Sequence, residues 1–160
     1  MAFPSDRTYS FDVNLVLADG AAAQTATGFA QANGANGIVD LGGNQGTSPV
    51  QQARIDAVAV IDVTALDISS SNESYRLSIL VSNDPAFGAG NVDMAAEISL
   101  GKGGSRDGVN MKDSVVGRYE VPFCTQIAGV LYEYAALYIT TGGTTPSITA
   151  SAFIAVLPEC

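Results

Sequence analysis

Apolar residues recur at every second position over most of this chain, and that period constrains the fold more than any other feature. Side chains alternate faces along a strand, whereas a helix repeats every 3.6 residues. The stretch 75–81 sets Tyr75, Leu77, Ile79 and Val81 against Arg76 and Ser78. The stretch 92–100 sets Val92, Met94, Ala96, Ile98 and Leu100 against Asp93, Ala95, Glu97 and Ser99. Phe11, Val13, Leu15 and Leu17 share a face, as do Tyr119, Val121 and Phe123. Further strands are predicted over 53–66, 130–140 and 148–157, with weaker candidates at 21–29 and 38–41. Between them stand turn pairs such as Asp19-Gly20, Asn33-Gly34, Asp84-Pro85 and Gly142-Gly143, which supply the positive or fixed φ that turns need. Only 91–100 has the length of a helix, and it lacks three-to-four spacing. The expectation is an all-β, antiparallel sandwich or barrel of eight or nine strands. With 160 residues and no linker, repeat or charge run, the chain reads as one domain preceded by an arm of about ten residues.

Several strands are apolar on both faces. In 130–140 one side carries Val130, Tyr132, Tyr134, Ala136 and Tyr138, and the other Leu131, Glu133, Ala135, Leu137 and Ile139, so both are largely apolar. In 53–66 Val58 and Val60 back onto Ala57, Ala59, Ile61 and Val63, and 148–157 behaves similarly. A sandwich strand in a monomer needs one dry face. A second one points to a subunit contact, or else to small alanines that tolerate water. Charged residues make up 14% of the chain, against roughly 25% in an average domain. Low charge favours the contact, so Tyr132, Tyr134 and Tyr138 are expected in a homodimer or homotrimer interface.

Charge and residue usage exclude several functions. Seven Lys and Arg against 16 Asp and Glu leave a net charge of −9. Nucleic-acid binding depends on cations that neutralise phosphates, and an acidic membrane surface attracts basic segments. Neither partner is expected. Histidine is absent, which removes His-based triads and His-ligated metals. Cys124 and Cys160 lie too far apart for a CxxC pair or zinc ribbon and read as free thiols. The N-terminal stretch has no apolar signal region, and no run is long enough to span a membrane.

No catalytic constellation emerges. Gly101-Lys102-Gly103-Gly104 lacks the spacing of a phosphate loop. Asp56, Asp62 and Asp67 lack calcium-loop spacing and read as solvated. No SxxK offers a serine nucleophile a lysine base. No catalytic, cofactor or metal site is assigned, and the chain is not expected to be an enzyme. The segment 101–117 holds Lys102, Arg106 and Lys112 in a Gly-rich frame, either as a contact element or as a solvated tip.

Four segments carry a family resemblance. YRLSILVSNDPAF at 75–87 precedes a strand ending in SLG at 99–101. A Gly-rich loop and GRYEVPF at 117–123 follow, then YEYAALYITTGGTTPSITASAFIA at 132–155. Together they resemble the jelly-roll cement, or decoration, proteins of tailed bacteriophages. The resemblance implies an antiparallel jelly roll of about eight strands over 11–160 with an extended arm over 1–10. It implies a virion protein that assembles in the bacterial cytoplasm, coats the outer surface of the icosahedral head and bridges major capsid protein subunits. Within that expectation Phe3, Pro4, Arg7 and Tyr9 of the arm and Lys102, Arg106 and Lys112 of the loop are the capsid contacts. A carbohydrate-binding jelly roll of a phage fibre or lectin is the alternative, and a small paired-carboxylate hydrolase a third reading.

Overall fold

A computed structural model describes residues 9–42, 54–106 and 111–156. A 3-10 turn (Val13–Leu15) leads into β1 (Val16–Asp19). Then follow β2 (Gly28–Phe29), β3 (Gln31–Ala32), β4 (Ala35–Asn36), β5 (Ile38–Asp40), β6 (Asp56–Leu66) and β7 (Ser74–Ser82). The remaining strands are β8 (Val92–Gly101), β9 (Gly117–Cys124), β10 (Gln126–Ile127), β11 (Val130–Leu131), β12 (Tyr134–Gly142) and β13 (Ile148–Val156). The described residues contain no α-helix, and every strand pairing is antiparallel. The all-β sandwich read from the alternation is the architecture observed.

Sheet A runs β1-β13-β6-β9 and sheet B runs β2-β12-β7-β8, with β5 also on β12. β2 and β5 pair with successive parts of β12, so they fill one strand position interrupted by the β3–β4 hairpin. Counted that way, the sandwich has eight positions in chain order. Sheet A takes the first, last, third and sixth; sheet B the second, seventh, fourth and fifth. The core lies between the sheets. Ala57, Ala59 and Ile61 of β6 and Ile148, Ala152 and Ile154 of β13 face Leu77, Ile79 and Val81 of β7 and Ala135, Leu137 and Ile139 of β12. Tyr75, fully buried, closes one end: its hydroxyl donates to the Asp67 carbonyl at 2.7 Å and accepts from Ser147 N–H at 2.8 Å. Burial pushes its phenol pKa up, with Asp67 and Glu73 adding to the effect. Two residues earlier, Glu73 is also fully buried, and neither of its carboxylate oxygens has a hydrogen-bond partner among the described residues.

Four sequence expectations are corrected. The strand predicted over 11–17 begins at Val16, because Asp12 caps a 3-10 turn by accepting from Asn14 N–H. Phe11 and Val13 therefore lie outside the core, 64% and 71% exposed. The clean face over 92–100 is broken by a bulge: Ile79 pairs Ala96 but Leu80 pairs Met94, so Ala95 is the extra residue. Ala96, Ile98 and Leu100 stay on the core side, while Met94 and Val92 turn to the outer face. The strand predicted from 130 starts at Tyr134. Before it, Ala128 and Gly129, both at positive φ, turn β10 into β11, the geometry of a tight hairpin. In the weak candidate at 21–29 only Gly28 and Phe29 form a strand.

Candidate interaction surfaces

The outer face of sheet A carries Val58 and Val60 of β6 between Phe153 and Ala155 of β13 and Glu120 and Pro122 of β9. In a two-layer sandwich this side faces water. Yet Val58 is 1%, Val60 0% and Ala155 3% exposed. The end of the arm lies on them. Tyr9 packs against this cluster, and its hydroxyl donates to Glu120 Oε2 at 2.7 Å. The Phe11 ring meets the Phe153 ring edge-on at 5.3 Å. The second apolar face of β6, read from sequence as a subunit contact, is thus covered by this chain's own arm. Phe3, Pro4 and Arg7 lie outside the described residues, so Tyr9 is the one described member of that predicted set. Beside the seat, Arg118 forms a two-pronged pair with Asp62 at 2.7 and 2.9 Å. That bond holds the Asp62 carboxyl below its usual pKa. Sequence reasoning placed Phe11 in a strand and missed Glu120; Asp12, a capping residue inside the supposed strand, was the available signal.

The loop after β8 is knitted to its own frame. Ser114 N–H donates to the Gly101 carbonyl at 2.9 Å, and Ser114 Oγ accepts from Gly101 N–H at 3.0 Å. Asp113 takes Lys102 Nζ at 2.7 Å and Gly103 N–H at 2.9 Å, and both bonds lower its pKa, the lysine's most. A Cβ on Gly103 would strike the Met111 carbonyl, so this crossing requires glycine. Arg106 donates to the carbonyls of Ser99 and Lys112. Of the three predicted contact cations, two are therefore engaged inside the loop. Lys112 is exposed, as are Met111 (47%), Val115 (69%) and Val116 (55%). Those three apolar side chains carried no periodic signal and were not singled out in the sequence, although the segment 101–117 was expected at the surface.

The predicted interface tyrosines divide. Tyr134 and Tyr138 share the outer face of sheet B, while Tyr132 precedes the strand and points its hydroxyl at Asp93 of β8, 3.3 Å away. Phe29 lies beside Tyr138, and its ring makes edge contacts with both Tyr138 (5.1 Å) and Phe87 (5.5 Å). Phe87 arrives from the β7–β8 loop, at a φ of 50, and is 8% exposed. One row across the sheet reads Ile38, Ala136, Leu80 and Met94. Its end is open, with Met94 51% and neighbouring Val92 37% exposed. Burial raises the phenol pKa of Tyr132, with Asp93 adding to it, and that of Tyr134, with Glu133 and Asp40 adding.

Near Tyr132, a polar cleft of about 500 Å³ is lined by Asn83, Asp84, Gly90, Asn91, Val92 and Asp93. The Asp84 carboxylate is occupied by N–H groups of Ala86 and Gly88, which hold its pKa low. Among the described residues no three His, Cys, Asp or Glu side chains gather where a metal ion would fit. Cys124 is half-buried in β9, its thiol directed at the Gln126 carbonyl. The molecule is an antiparallel β sandwich whose outer faces carry aromatic and aliphatic side chains. No family model, curated protein or solved structure matches this chain.

Proposed function

We propose that this chain is a capsid cement protein of a tailed bacteriophage, bound to the outer surface of the head and bridging major capsid protein subunits. The observation that carries the reading is the wiring of the sandwich. The order first-last-third-sixth and second-seventh-fourth-fifth is the one expected of a jelly roll, and it supports the resemblance drawn from the segments between Tyr75 and Ala155. The surface chemistry supports it. The row ending at Met94, with Tyr134 and Tyr138 beside it, suits a homo-oligomer contact. The ridge of Met111, Lys112, Val115 and Val116 suits contact with the shell. A net charge of −9 suits the outside of a DNA-filled head better than its interior. A protein that binds assembled shell and not its dispersed subunits stabilises the shell by mass action.

The test adds purified chain to expanded heads of the encoding phage that lack it. Co-sedimentation and electron microscopy should show ordered density outside the shell and greater resistance of the decorated heads to heat. Heads that leave all of the chain in the supernatant at micromolar concentration overturn the reading. One observation favours a second reading, a carbohydrate-binding module: the cleft at Tyr132 combines two amides, two carboxylates and an aromatic ring. Binding on a glycan array that is lost in Tyr132→Ala would select it.

A further inference from the structure

The seat on sheet A and the arm that fills it are joined by the 3-10 turn at Val13–Leu15. Leu15 N–H donates to the Asp12 carbonyl at 3.0 Å, and Asn14 N–H to Asp12 Oδ1 at 2.9 Å. These bonds close the turn without reference to where the preceding residues lie. Downstream, the chain is fixed: Val16 pairs Phe153, and Leu17 is fully buried. Upstream, Ser10, Asp12, Val13 and Asn14 are exposed, and Phe11 is 64% exposed. The described arm is thus attached through two side chains, Tyr9 on Glu120 and Phe11 on Phe153. Beneath it, Val58, Val60 and Ala155 are dry. A departing arm uncovers an apolar strip flanked by the Glu120 carboxylate that had accepted from Tyr9. The occupant that matches this strip is the arm of another copy, which brings the same tyrosine and phenylalanine at the same spacing.

We propose that the segment from Tyr9 to Phe11 is an exchangeable strap, seated on its own sheet A in the isolated chain and on a second copy's sheet A where copies crowd. The contacts are identical in both states, so the choice is set by concentration. A short tether gives the arm an effective concentration of about a millimolar range at its own seat. Dilute chains therefore close on themselves. Copies held side by side in an assembly reach comparable local concentrations, and exchange then links them without any new surface. The exchange concerns copies of this chain alone, so it stands or falls apart from binding to a shell.

The experiment uses the full chain with Cys124→Ser and Cys160→Ser. Ser10→Cys marks the arm and Pro122→Cys marks the seat, leaving both anchors in place. A chain carrying both marks, treated with a short bismaleimide, should link within itself at nanomolar concentration. Chains carrying one mark each, distinguished by a tag, should give a mixed covalent dimer whose yield rises with concentration. Adding Tyr9→Ala and Phe11→Ala to the arm-marked chain should lower that yield several-fold. A mixed dimer no more abundant than in this control, while the doubly marked chain still links within itself, overturns exchange. Failure of the doubly marked chain to link overturns the seat itself.

Discussion

Replacing Glu73 with methionine should make the protein more stable. The side chain is fully buried at the start of β7, and neither oxygen has a partner among the described residues. Its main-chain carbonyl accepts from Lys102 N–H at 2.9 Å, a bond that the substitution leaves alone. Methionine has similar length and adapts to irregular space. The change therefore removes two unpaired polar atoms and little packing. An unpartnered polar group costs about 1–3 kcal/mol when buried, and a charged one more. We expect Glu73→Met to gain about 2 kcal/mol. For a domain of this size that raises Tm by about 4–8 °C. Glu73→Gln, which keeps unpaired polar atoms in the same place, should gain less. Urea unfolding followed by tyrosine fluorescence and far-UV circular dichroism gives both midpoints, with an unchanged slope expected. If Glu73→Met loses more than about 1 kcal/mol, the carboxylate has a partner worth keeping and the reasoning fails.

Leu137→Ala, in the middle of the core ladder between β12 and β7, should cost about 2–5 kcal/mol by opening a cavity, read from the same urea curves. Arg106→Ala should loosen the β8–β9 loop, seen as faster proteolysis between residues 101 and 117, whereas Lys112→Glu should leave proteolysis unchanged and weaken shell binding. Stability should fall on the acid side. Arg118 lowers the pKa of Asp62, and main-chain N–H groups lower those of Asp19 and Asp84. A carboxyl with a depressed folded pKa contributes fully above its unfolded value near 4 and loses that contribution as pH falls through the folded value. Tm should therefore hold between about pH 5 and 7 and drop below about pH 4, and Asp62→Asn should flatten that drop.

The strands legible in the sequence are those whose inner face is never interrupted. β7 and β13 matched their predicted spans because Tyr75, Leu77, Ile79 and Val81, and Ile148, Ala152 and Ile154, leave one register that buries them. β8 was legible as a strand but not in its facing. Ala95 and Ala96 are small enough for either side, so nothing marks the bulge between them. The second apolar face of β6 was also visible, but its occupant was not. Phe11, Val13, Leu15 and Leu17 keep period two across a 3-10 turn, which disguises the end of the arm as a strand. The ion pair between Lys102 and Asp113 depends on how a loop crosses itself at Gly103, and spacing alone carries no such information.

The distribution of cations decides how this surface can meet another. Arg54 is paired with Asp56, Lys102 with Asp113 and Arg118 with Asp62, and Arg106 is held by two carbonyls. The net charge of −9 is therefore presented with few cations standing clear of their own counter-charges. Lys112 is exposed, and Met111, Val115 and Val116, close to it in sequence, are all about half exposed or more. A contact built on that ridge draws mainly on apolar area, which salt does not screen; a contact built on three clustered cations would weaken as ionic strength rises. Shell binding measured from about 50 to 500 mM salt separates the two, since the Debye length shrinks from roughly 14 to 4 Å over that range. We expect affinity to hold, because the apolar area of the ridge is not screened. A steep loss of affinity with salt would mean that Lys102 and Arg106 leave their intramolecular partners on binding, and the ridge would then be discarded as the main contact.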